Sequence, residues 1–191
     1  MHDENFMLIK NRDFFLQNIL KRIGLKKRPF YLLFRDPIRK LESFYANKII
    51  LPDDFSKWEH CQEIFFNYLK ITEETPDAEK VIAFNSMSYE KFIALLPHLF
   101  SRDLHLAPQA DAVTVTLKKL NILVSIEYDD IFDIGNHTRI KTLEKLVNIQ
   151  FEHRNRSNII NANYYYSSEM KRTIETVYKR DLEIYNTIQN N

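Results

Sequence analysis

Tyr31-Leu-Leu-Phe-Arg-Asp-Pro-Ile-Arg-Lys-Leu-Glu-Ser-Phe-Tyr-Ala-Asn-Lys48 is the stretch that decides how this chain is read. Phe30 to Phe34 is an apolar run too short for a helix, and it reads as a buried parallel strand. Asp36-Pro37 then opens a helix, with a capping carboxylate followed by a proline at the first helical position. A strand therefore runs directly into a helix N-terminus, whose unpaired N–H groups and partial positive charge attract anions. Arg35 adds a planar fork of donors at the strand end. Ser43, seven residues after Asp36, lies about two turns along the same helical face, where its hydroxyl can donate to the same anion. The outline is that of a phosphate site.

Outward from this stretch the composition is that of one globular domain spanning residues 1–191, with 45% hydrophobic and 13% aromatic residues to build a core. The net charge of +1 gives no global preference for nucleic acid or membrane, and no nucleic-acid partner is expected. Basic residues cluster at Lys21, Arg22, Lys26, Lys27 and Arg28, offset by an acidic run from Asp53 to Glu79, and both patterns read as solvated faces. Cys61 is the only cysteine, which excludes a disulfide framework and a thiolate metal site; it reads as a small buried residue near Trp58, Phe65 and Phe66. No segment approaches the roughly 18 consecutive apolar residues of a membrane span.

Periodicity places a helix after Asp13 through Phe15, Ile19, Leu20 and Ile23, stopped by Gly24. A second begins near Ser56 and runs to Leu69, a short one covers Tyr89 to Leu96, and long ones cover Thr138 to Asn148 and Ser167 to Ile188. Ile122 to Ile126 reads as a further buried strand, with Asp129-Asp130 as a cap for the next element. Glu127, Asp129 and Asp130 read as a strand end and helix cap in preference to a metal site. Strands alternating with helices imply an α/β domain with a parallel sheet. The Asn-rich patch from Asn155 to Asn163 reads as a loop.

Arg35-Asp36-Pro37 followed by Lys40, Ser43, Tyr45 and Asn47-Lys48 resembles the 3′-phosphate-binding motif of the carbohydrate sulfotransferases, which use 3′-phosphoadenosine-5′-phosphosulfate (PAPS). Asp103-Leu-His-Leu-Ala-Pro-Gln109 resembles the Asp-x-His-Trp-x-Pro-Gln element of that family, with Leu106 where tryptophan is usual. His153-Arg-Asn-Arg-Ser157 resembles its His-x-Asn-Arg-Ser loop, and Tyr166, Ile174, Tyr178, Asp181 and Tyr185 follow its final helix. The resemblance covers roughly residues 30 to 186 in the family order. It implies a three-layer, P-loop-kinase-like α/β fold with a parallel sheet, and transfer of a sulfuryl group from PAPS to a hydroxyl of a glycan or polysaccharide acceptor, without a metal. It implies a nucleotide site formed by Arg35, Ser43, Arg154, Arg156 and Ser157, with the last three in a loop that folds over the nucleotide. His105 and Gln109 are implied on the acceptor side, and His105 is the available candidate for a base, an assignment left open beside a structural or substrate-orienting role.

The chain also departs from the family. Its only glycines, Gly24 and Gly135, precede no Lys-Ser/Thr pair, so the strand, phosphate loop and helix that would cradle the 5′-phosphosulfate have no counterpart. The expectation is either the latter part of a longer enzyme or a degenerate relative that binds nucleotide or glycan without transfer. A cytoplasmic location is expected, or the Golgi lumen if the chain was cut from an anchored precursor. Tyr164, Tyr165 and Tyr166 form an aromatic trio that could line a sugar site, with packing expected for at least one.

Overall fold

A computed structural model describes Gly24 and residues 31–50, 62–103, 105–117, 122–125, 128, 130–151 and 164–190. The helix expected from Asp13 to Ile23, the basic residues Lys21, Arg22, Lys26, Lys27 and Arg28, Trp58, Cys61, Glu127, Asp129 and the 153–157 loop lie outside the described residues.

Strand β1 is Tyr31–Phe34, and helix α1, Pro37–Phe44, follows it after two residues. The Asp36 carboxylate accepts from the N–H groups of Ile38 (2.8 Å) and Arg39 (3.4 Å), and Pro37 occupies the first turn where it lacks no bond. The helix then widens into a π-helical segment, Tyr45–Ile50. Asn85, with its amide turned to donate, satisfies the Ile49 and Ile50 carbonyls at the end of that segment.

Helices α2 (Gln62–Leu69), α3 (Asp77–Asn85) and α4 (Tyr89–Leu99) come next. The α3 helix has no counterpart among the sequence expectations, because its apolar residues do not form a clear stripe and Pro76 at its cap makes no side-chain bond. Ser88 caps α4 through the Lys91 N–H. A 3₁₀ turn at Gln109–Val113 leads into β2 (Thr114–Leu117), followed by β3 (Ile122–Ser125) and β4 (Asp130–Asp133). Helix α5 is His137–Val147, and helix α6, Ser168–Gln189, departs from helical geometry at Tyr178 (φ −113°, ψ 23°).

The sheet topology corrects two expectations. Ile122–Ser125 is a strand, but it pairs antiparallel with Thr114–Leu117 in a separate two-stranded sheet. The parallel neighbour of β1 is β4, in register from Tyr31 opposite Asp130 to Phe34 opposite Asp133. Asp130 therefore opens a strand, and its carboxylate binds the Arg139 guanidinium at 2.8 and 2.9 Å; Asn136 caps α5 by accepting from the Arg139 N–H. Four residues bracketed by carboxylates carry no apolar run, so the strand has no local signature. Its Asp133 is buried because Gly135 N–H, Tyr185 Oη and Gln189 Nε2 donate to it.

The main core gathers Leu41, Phe44, Tyr45 and Ile49 with Phe65, Phe84, Phe92, Leu96, Leu106, Ile174 and Tyr178. A smaller cluster, Phe132, Ile140 and Leu143, seats α5 on β4 beneath Tyr31 and Leu33. Both parallel strands end at the same edge and each feeds a helix N-terminus, the edge where α/β sheets bind ligands. Among the described residues, no helix is long and apolar enough to cross a membrane.

Candidate functional site at the end of the first strand

Arg35 is half-buried one residue beyond the last paired position of β1. Burial pushes its guanidinium below the usual arginine range, with neighbouring Asp36 acting in the opposite direction. Among the described residues, nothing hydrogen-bonds or ion-pairs this guanidinium. A partly desolvated cation without a paired anion is expensive to hold, and a bidentate oxyanion is the partner its fork fits.

Ser43 is buried on α1. Its hydroxyl oxygen accepts from Asn47 Nδ2 at 3.2 Å, its one hydrogen-bond partner among the described residues, so its own proton is uncommitted. The Asn47 donor comes from the π-helical segment, a widened geometry that is frequent at functional sites.

The 103–109 segment is fastened beside Arg35 from three directions. The Gln109 side chain accepts from the Arg35 N–H at 2.9 Å and donates to the Arg35 carbonyl at 2.7 Å. From α6, the fully buried Asp181 accepts from the Gln109 N–H (2.8 Å) and the Ala110 N–H (2.7 Å). Tyr178 donates its hydroxyl to the Leu106 carbonyl, and Lys40 of α1 donates to the Ala107 carbonyl. Burial lowers the Lys40 ammonium below the usual lysine range, against the pull of Asp181, Asp103 and Asp111, and Arg35 adds to the lowering. Two cations, Arg35 and Lys40, thus share one partly dry corner.

His105 lies on this fastened segment and is exposed; its N–H donates to Asp103 Oδ1 at 2.7 Å, which closes a tight turn. Leu106, where the sequence pattern departs from tryptophan, has no exposed surface and packs in the main core.

Of the site residues expected from sequence, the structure brings Arg35 and Gln109 into direct contact and sets Lys40 against the same segment. Arg154, Arg156 and Ser157 lie outside the described residues, as does His153. The burial of Glu42 and Asp181 had no sequence signal, since an isolated carboxylate on a helix reads as exposed; Asp181 entered only through the resemblance of the final helix. Of the tyrosine trio, Tyr164 stacks on Tyr89 with ring centroids 4.2 Å apart and Tyr166 donates to Glu42, whereas Tyr165 is 87% exposed. Among the described residues, no group of three or more His, Cys, Asp or Glu side chains could hold a metal ion. Compared with known protein families, with curated proteins and with solved structures, the chain matches none.

Proposed function

We propose that this chain binds the 3′-phosphate of an adenosine nucleotide through Arg35 and Ser43 and acts as a PAPS-dependent carbohydrate O-sulfotransferase. The observation that carries the reading is the half-buried Arg35 guanidinium, unpaired among the described residues at the end of a parallel strand. It is supported by the meeting of sequence elements that resemble one family's motifs: Arg35, Gln109 and Asp181 are joined by hydrogen bonds across 72 to 74 residues of chain.

In the proposed reaction the acceptor hydroxyl oxygen forms a bond to sulfur as the bond from sulfur to the phosphate oxygen breaks, releasing adenosine 3′,5′-bisphosphate. The hydroxyl proton passes to a base. Arg35 and Ser43 would hold the 3′-phosphate away from the reacting centre, and Arg154, Arg156 and Ser157 would close over the nucleotide. His105, exposed on a fastened turn, would face the glycan acceptor. A second reading, nucleotide or glycan binding without transfer, is favoured by the lack of a Gly-x-x-x-x-Gly-Lys-Ser/Thr-like cradle in the sequence.

Titration calorimetry with adenosine 3′,5′-bisphosphate and with AMP tests the shared core of both readings. The bisphosphate should bind more tightly, and Arg35→Ala should weaken it roughly ten- to a hundredfold while leaving AMP unchanged. Equal affinities of the wild type for the two nucleotides would sink the assignment. Transfer of labelled sulfate from PAPS to a glycan then separates enzyme from binding protein.

A further inference from the structure

Resting on the reading of Arg35 as the phosphate ligand, we propose that Gln109 is a positioning residue that aims Arg35 and itself touches neither nucleotide nor acceptor. Arg35 sits at the turn between β1 and α1, one residue past the final register pair, Phe34 with Asp133. The last backbone bond of the parallel pair, from the Ile134 N–H to the Phe34 carbonyl, stops short of it. An arginine at such a turn has no ladder to fix its backbone.

Gln109 supplies that missing neighbour. Its side-chain amide presents an acceptor to the Arg35 N–H (2.9 Å) and a donor to the Arg35 carbonyl (2.7 Å). One residue exchanging both bonds with another is the arrangement of a hydrogen-bonded pair in an antiparallel ladder, reproduced here by a side chain. Holding both peptide groups of Arg35 sets the direction of its Cα–Cβ bond and hence where the guanidinium points. Both heteroatoms of the Gln109 amide are thereby committed to the backbone of Arg35. Little is left to bind a substrate.

Gln109 is itself held. Asp181 accepts from its backbone N–H and from that of Ala110, and Lys40 and Tyr178 hold the preceding carbonyls of Ala107 and Leu106. Helix α6 therefore orients Arg35 through Gln109.

A double-mutant cycle separates aiming from general support. Gln109→Met keeps the length of the side chain and removes both bonds. It should weaken adenosine 3′,5′-bisphosphate roughly tenfold, leave AMP within about twofold, and cause no further loss in the Arg35→Ala background. Equal weakening of both nucleotides, or full additivity with Arg35→Ala, overturns the proposal, because a residue that merely supports the fold would act on either ligand and in either background. If the Met variant does not fold, Gln109→Glu takes its place, keeping the acceptor for the Arg35 N–H while losing the donor for the carbonyl, and the same cycle applies. Hydrogen exchange at the Arg35 amide reads the clamp without any ligand: it should speed up at least about tenfold in the variant, and unchanged exchange overturns the clamp. An Arg35→Ala protein that binds bisphosphate as well as the wild type would refute the phosphate reading, while the exchange measurement still decides the clamp.

Discussion

The hydroxyl of Tyr166 donates to the carboxylate of Glu42 at 2.8 Å, across 124 residues of chain. Glu42 is 6% exposed, and its other oxygen receives Arg39 at 2.9 Å. Tyr89 approaches the same hydroxyl at 3.2 Å, and burial raises both phenols well above the usual tyrosine range. The bond ties the start of α6 to α1 immediately beside Ser43. Tyr166→Phe keeps the ring and removes one charge-assisted bond, so urea unfolding should show a loss of about 1.5–3 kcal/mol. A neutral substitution would mean that Arg39 alone satisfies Glu42.

Asp181 should be costlier to remove. It has no exposed surface, and burial holds its carboxyl above the ordinary aspartate range although two N–H donors and Lys40 pull it down. Asp181→Ala strands the Gln109 and Ala110 N–H groups away from water, at about 1–3 kcal/mol each. Denaturant unfolding should report the sum, about 2–6 kcal/mol, with the Arg35 amide among those losing protection from exchange. A loss below that range would show that water reaches the two N–H groups.

Alkaline pH should loosen the packing of α6 on β4. Tyr185 donates to Asp133, and burial, with Asp36 and Asp133 beside it, raises its phenol from 10.0 to about 12. Between pH 10 and 12 the folded chain keeps a proton that the unfolded chain has released, so this contribution is complete below pH 10 and is lost as pH rises toward 12. Wild type should lose stability relative to Tyr185→Phe across that window and track it below. Parallel pH curves for the two proteins would remove Tyr185 as the cause.

The proposed cover loop makes a separate prediction. Arg156→Ala should weaken adenosine 3′,5′-bisphosphate roughly tenfold, whereas Lys141→Ala, which deletes an exposed cation on α5, should leave it unchanged. Calorimetry at two ionic strengths checks that the difference is local and not a matter of net charge. Equal effects of the two substitutions would end the assignment of Arg156 to the nucleotide.

Much of the local structure was legible because its causes lie within one turn of chain. Asp36-Pro37 dictates where α1 starts, since the cap bonds only two and three residues ahead, and Ser167 does the same for α6 through the Met170 N–H. Apolar spacing likewise located α4, α5 and α6, and Asn148, in the left-handed conformation at φ 53°, ends α5 where the pattern ends.

Tertiary structure alone decided the partners that lie far along the chain. Nothing local in Asp130–Asp133 distinguishes a strand from a turn with two acids; it is a strand because Tyr31–Phe34 offers a ladder about a hundred residues away. Nothing in Glu42 or Asp181 announces burial, for a carboxylate enters a core only where donors await it, and those donors come from Tyr166, Gln109 and Ala110. From the sequence, Gln109 is implied only on the acceptor side, by the resemblance of its segment. Its commitment to the backbone of Arg35 comes from the packing of α6 against the 103–109 segment, which no spacing within either motif encodes.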